Sequence, residues 1–169
     1  MAYTALARRR PSPEPTLRLI CFPLRQAHFC LPLAMAQRVM SRSGAEASLT
    51  PGLIQLQGAQ VPVVDIVPWL YHKAPLLPGQ VIHPGGTTAL AQPDQTILVI
   101  ESSRLGHLGI LVDDTPTLKR ARQSAFSPMP AAYLIAHHLQ GINTLVSLGG
   151  SEPPLFLLDV DQLLLPSDP

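Results

Sequence analysis

The 169-residue sequence is poor in charge. Only 14% of its residues are Asp, Glu, Lys or Arg, and twelve cations against eleven anions leave a formal net charge of +1. A chain so balanced carries no global field that would gather nucleic acid or anionic lipid. Aromatic residues are scarce as well: four Phe, three Tyr and one Trp offer no base-stacking platform. Two cysteines, Cys21 and Cys30, are too few for a secreted disulfide framework, and neither stands in CxxC or His/Cys ligand spacing. No window approaches eighteen uninterrupted apolar residues, so no spanning helix is expected. Met1–Arg10 lacks the apolar stretch of a secretion signal, because Thr4 and Arg8-Arg9-Arg10 interrupt it. The expectation is a cytoplasmic protein that takes neither nucleic acid nor a place in the bilayer.

What the chain does have is aliphatic side chains and proline. Hydrophobic residues make up 46%, and there are 19 prolines. A chain of this length buries roughly two-thirds of its unfolded surface, enough for a core without disulfide or metal. Residues 1–15, with Pro11, Pro13 and Pro15 at alternate positions, are expected to form a solvated tail, since that spacing forbids both helix and ladder.

From Thr16 the pattern becomes that of strands. Leu17–Leu24 and His28–Leu33 are short apolar runs around Arg25-Gln26-Ala27, which reads as a hairpin in which Cys21 and Cys30 face each other. Ala34–Val39 has spacing closer to a helical turn. Leu53–Leu56 and Val61–Ile66 flank Gly58-Ala59-Gln60 as a second hairpin, and Val67–Tyr71 resembles a first helical turn with proline near its start. Residues 72–94 hold seven Pro or Gly and no periodicity, and read as a linker or insertion. Thr96–Ile100 pairs with His107–Val112, and Gly141–Val146 pairs with Leu155–Val160.

The order repeats. Thr16–Leu33, with His28 after its turn, is echoed by Thr96–Val112 with His107, and Gly52–Leu70 by Gly141–Leu164. Val63-Val64-Asp65-Ile66 lines up with Leu157-Leu158-Asp159-Val160. Each copy offers four or five short strands, too few for a sandwich and enough for a small barrel. The expected fold is therefore all-β: two pseudo-symmetric five-stranded barrels with a few short helices. The expected division runs from a first barrel over about 30–90, with parts of the N-terminal hairpin, to a second over about 96–160. Residues 166–169 would be a tail.

Candidate chemistry is thin. Asp113-Asp114 and Asp159-x-Asp161 are the acidic pairs with a catalytic look, yet aspartate at a strand end commonly caps a helix or ties a turn. His137 and His138 are adjacent and diverge too far to share a metal easily. No nucleophile elbow, P-loop lysine or dinucleotide glycine spacing is present in the sequence. Lys119-Arg120-Ala121-Arg122 is the basic cluster inside the fold and reads as a solvated loop. A non-catalytic binding module with no cofactor and no metal is the expected class. A small barrel taking nucleic acid or a small ligand is the alternative.

Gly52–Ile66, with Gln57-Gly58 followed by Val61-Pro62-Val63-Val64-Asp65, resembles the signature of the CheW-like chemotaxis adaptors. Phe29-Cys30-Leu31-Pro32-Leu33 with Val39 after it, Leu108–Asp113, Gly141-Ile142 and Leu155–Asp159 are similar to further pieces of that family, in order. The resemblance covers about residues 16–165. It implies SH3-like barrels, no catalysis, and two partners: the regulatory domain of a CheA-type histidine kinase and the cytoplasmic tip of a methyl-accepting chemoreceptor. It assigns partner contacts to Val39, Gln57, Gly58 and Val61. Gln57 stands where the family motif has arginine. Far-ultraviolet circular dichroism tests the fold class at once: strand dominance is expected, and a helix content above about one-third would contradict it.

Overall fold

The computed structural model describes residues 12–41, 52–70, 96–137 and 140–164. The expected linker at 72–94 and the terminal stretches 1–11 and 166–169 lie outside them.

Eleven strands occur among the described residues, with three short helices. β1 (Thr16–Leu24) and β2 (Ala27–Pro32) form the first hairpin, and a 3-10 turn at Leu33–Met35 leads into β3 (Ala36–Ser41). β4 (Leu53–Leu56) and β5 (Ala59–Val64) form the second, followed by α1 (Val67–Leu70). β6 (Thr96–Ser102) and β7 (Gly106–Val112) make the third. Then come β8 (Thr117–Arg122), β9 (Phe126–Pro128) and α2 (Ala131–His137), and last β10 (Ile142–Val146), β11 (Leu155–Leu158) and α3 (Val160–Leu164).

The strands form two sheets, ordered β8-β1-β2-β11-β10-β9 and β3-β6-β7-β5-β4. Each has an antiparallel hairpin at its centre and one parallel contact, Phe156 beside Phe29 in the first and Val63 beside Gly109 in the second. The internal repeat is thus real in three dimensions. Cys21 pairs with Cys30 as Val99 pairs with Gly109, and Pro23 with His28 as Glu101 with His107. The first sheet departs from five strands because β9 adds to the edge of β10.

The expected division of the chain gives way to an interleaved one. β3 follows the first hairpin but pairs with β6, and β8 follows the third but pairs with β1. The sequence between 30 and 90 therefore does not make one barrel by itself, nor does 96–160. β3 replaces most of the helical turn expected at 34–39, because alignment of Ala36–Ser41 along Ile100–Thr96 satisfies its backbone in a ladder. Glu14 and Pro15 are not a free tail: their oxygens accept the amides of Ser124 at 2.6 Å and Gln123 at 3.0 Å.

Three apolar clusters explain this arrangement. Leu19, Cys21, Cys30, Ala121, Val146 and Leu155 fill the first sheet's concave side. Ile54, Val61, Ile97 and Val99 fill the second's, with Met40 of one outer strand and Leu56 of the other against them. Packing of both outer strands on one cluster curls the sheet into a small barrel. The alternate residues of the central strands, Ile20, Phe22, Leu24, Phe29 and Leu31 with Leu98, Ile100, Leu108, Ile110 and Val112, meet between the barrels. Ile66, Leu70, Val160 and Leu163, at or in the equivalent helices α1 and α3, join them. Each fully buried Leu, Ile or Phe contributes about 1.5–3 kcal/mol, so this shared cluster is the largest source of stability.

Two glycines are required by space. A Cβ on Gly109 would lie 2.9 Å from Ile97 Cγ2 and 3.2 Å from Val63 Cγ2. Gly141 has φ +66°, and a Cβ there would lie 2.7 Å from Leu163 Cβ and 2.9 Å from the Asp159 carbonyl oxygen. Gly141→Ala should therefore cost about 2–4 kcal/mol, adding overpacking to left-handed strain. Gly149→Ala, at φ +85° in open space, should cost only about 1–2 kcal/mol. Urea unfolding of the two variants measures the difference, and equal losses would contradict the packing of α3 over Gly141.

Candidate functional site

Gln57 and Gly58 are the two loop residues of the β4–β5 hairpin, between the paired Leu56 and Ala59. Both have positive φ, +50° and +83°, the pattern of a type I′ turn, which suits the right-handed twist of the flanking strands. Glycine meets this requirement freely, whereas glutamine does so at a backbone cost of about 1–2 kcal/mol. The turn holds both residues in solvent. Beside it lies a groove of about 210 Å³ lined by Gln37, Arg38, Leu56, Gln57, Ala59, Val61 and His107. Gln37 donates from Nε2 to Glu101 Oε2 at 3.0 Å, which fixes the wall on the β3 side.

The expected contact residues separate here. Gln57 and Gly58 are exposed at the groove's edge, and Val39 on the outer strand β3 is 42% exposed. Val61 lines the groove but is 2% exposed and packs inside the second barrel with Ile54, Ile97 and Val99, so it presents almost no surface to a partner. Strand alternation is the reason: Val61 points to the concave face. Sequence reading missed Gln37, Arg38 and His107. Arg38 sits next to Val39 in a stretch read as helical, and only the β3–β6 pairing brings it beside the turn.

A larger groove of about 450 Å³ runs between the barrels. Pro32 and Met35 line it from the first hairpin's exit, Glu101 and Ser103 from the third hairpin, and Leu157, Asp159 and Asp161 from the β11–α3 segment. Its aspartates have structural partners. Asp159 Oδ1 accepts the Gln162 amide at 3.0 Å as an N-cap of α3, and Asp161 accepts the hydroxyls of Ser102 and Ser103. Elsewhere Asp65 Oδ1 accepts the Val67 amide at 3.0 Å, and Asp113 Oδ2 accepts the Arg25 amide at 2.5 Å. The reading of these carboxylates as caps and ties holds. Among the described residues no three His, Cys, Asp or Glu side chains are grouped to hold a metal ion.

Cys21 and Cys30 pair across β1 and β2, both free and both buried. Burial pushes the Cys21 thiol up to about 11, with smaller opposing effects of Lys119 and Glu152. Burial, and then the neighbouring Cys21, push Cys30 up to about 12. Neither is a thiolate nucleophile near neutral pH.

The two interlocked barrels thus present two open grooves whose carboxylates are held by caps, serine hydroxyls and the Gln37 amide. The chain belongs to the CheW-like domain family, whose model matches residues 18–166. Proteins of this family are non-catalytic scaffolds of chemotaxis signalling. In fold the chain is similar to the scaffolding protein TtCheW from Thermoanaerobacter tengcongensis. The TM-score is 0.60 at 14% identity, over 86% of this chain and 90% of that one. No curated protein matches the sequence.

The thiols yield a pH prediction. Because their folded pKa values lie above the ordinary 9.0, the unfolded chain loses these protons first as pH rises. Their contribution to stability is intact below about pH 9 and lost as pH climbs through about 11 and 12. Melting temperature should fall over that window, and less so for the Cys21→Ala/Cys30→Ala double variant than for the parent. A disulfide reagent at pH 8 should label neither thiol until the chain is unfolded.

Proposed function

We propose that this protein is a non-catalytic adaptor in bacterial chemosensory signalling, for chemotaxis or type IV pilus motility, coupling chemoreceptors to a CheA-type histidine kinase in the cytoplasm. The observation that carries the reading is the family match over nearly the whole described chain, together with the paired barrels. A scaffold needs two faces held at a fixed relation, and a core shared between barrels supplies that rigidity. No helix among the described residues is long and apolar enough to cross a membrane, in keeping with a partner that reaches receptors from one side.

In this reading Gln57 and Gly58 contribute partner contacts at the turn beside the 210 Å³ groove, and Val39 contributes one from the exposed outer strand β3. The kinase partner is the regulatory domain, and the receptor partner is the helical cytoplasmic tip. Gln57 replaces the arginine of the family motif. Arginine would bring a permanent charge and a planar donor fork, where glutamine has one donor group and one acceptor. Hydrogen bonds to charged groups contribute about 1.5–3 kcal/mol against about 1 for neutral ones.

Gln57→Arg should therefore tighten binding to the receptor tip or the kinase regulatory domain roughly tenfold. Since both residues suffer the same positive φ, melting temperature should barely change. Gln57→Asn, a residue that tolerates the left-handed region, should stabilise the fold by about 0.5–1 kcal/mol. Titration of each variant against a cognate receptor fragment and kinase domain decides the first point. Binding of neither partner by any variant would reject the adaptor reading.

A further inference from the structure

The basic run Lys119-Arg120-Ala121-Arg122 is not a solvated loop. It forms most of β8, the outermost strand of the first sheet, whose second edge has no strand partner among the described residues. The register with β1 sets Arg18 directly opposite Arg120 and Thr16 opposite Arg122. Opposed residues share a face of the sheet, as do alternate residues along a strand. Leu118, Arg120 and Arg122 therefore stand with Arg18 on one face, and all four are exposed, Leu118 to 67%. Lys119 points the other way and is paired with Glu152. Glu14 feels the charge of Arg122 while holding the Ser124 amide. Arg18 and Arg120 have no carboxylate partner among the described residues.

This is a poor arrangement for stability alone. Like charges directly opposed across a strand pair destabilise it, and a large exposed leucine beside them adds nothing to the core. Charges on an edge strand do guard against pairing with a second copy. Here two copies joined through β8 would bring their arginines together, which removes a second copy as the occupant. What complements an unpaired edge, a row of guanidinium groups and one apolar side chain is an extended segment with acidic and apolar residues.

We propose that β8 is a docking edge for an extended acidic segment of a partner protein, which adds to the first sheet as a further strand. Its backbone pairs with the free edge of β8 and its carboxylates meet Arg120 and Arg122, with Arg18 reinforcing the field from the next strand. An apolar residue of the segment covers Leu118. Main-chain pairing supplies affinity and the side chains supply selection, the guanidinium fork being matched to carboxylate.

The test uses the full chain and three fluorescent probes. One is an eight-residue peptide alternating glutamate and valine, one has glutamine for every glutamate, and one is the acidic peptide with alternate backbone nitrogens methylated. Anisotropy should show binding of the acidic peptide that weakens as salt rises. The glutamine and N-methylated forms should bind at least tenfold more weakly. Arg120→Glu should lose at least tenfold in affinity for the acidic peptide and yet melt higher than the parent, because its repulsion with Arg18 becomes attraction. Arg104→Glu, in the exposed β6–β7 turn, should bind as the parent does.

Equal binding of acidic and neutral peptides, or undiminished binding by Arg120→Glu, overturns the proposal. Equal binding of the N-methylated peptide overturns strand addition. Capture by phosphatidylserine vesicles in preference to the peptide overturns the protein partner and assigns the face to lipid.

Discussion

Phe22 and Phe29, stacked with ring centroids 6.4 Å apart, lie on the first hairpin where it meets Leu98, Ile100 and Ile110 of the third. One residue along each strand, Cys21, Cys30, Val99 and Gly109 face the other way, into the two barrels. The four central strands are thus buried on both faces, and three apolar clusters rest on them. A strand wet on one side would alternate apolar and polar residues; these are apolar nearly throughout, as two-sided burial requires. The grooves, the caps and the outer strands are all positioned from this layer.

Interleaving follows from the same constraint. Each central hairpin needs an outer strand beside it, and the segment that leaves one hairpin completes the sheet of the other: β3 goes to β6, and β8 goes to β1. Side-chain ties then cross the molecule. Asp113, after the third hairpin, holds the turn of the first, while Asp161 at α3 holds the turn of the third. Neither barrel is complete without chain from the other half, so the two are held at one relative orientation. Surfaces on the two barrels therefore keep a fixed spacing.

A chain of low charge can still carry local charge patterns on its surface. Several of its charges group by face: Arg38 lines the small groove, Glu101, Asp159 and Asp161 the larger one, and Arg18, Arg120 and Arg122 stand at the β8 edge. A net charge of +1 hides this grouping: a balanced chain steers weakly at long range, whereas charges grouped on a face act locally.

Apolar runs, turn residues and the repeated order of strands sufficed to specify an all-β pseudo-symmetric fold, because two-sided burial makes the central strands continuously hydrophobic. Aspartates at strand ends were legible as caps for the same local reason, and Gly58 marked the second turn, though the loop is Gln57-Gly58 and Ala59-Gln60, expected in it, begin β5. β3 and β8 were not legible. Ala36–Ser41 and Thr117–Arg122 are outer strands with one wet face and little apolar alternation, so nothing local distinguishes them from a helical turn or a loop. Their pairing is a tertiary decision, made by the free edges of β6 and β1. With it came everything that depends on distant residues meeting: which strands share a barrel, the burial of Val61, the approach of Arg38 to Gln57, and the opposition of Arg18 to Arg120. Sequence by itself determines what a segment can bury; only the assembled sheets decide which neighbour it is buried against.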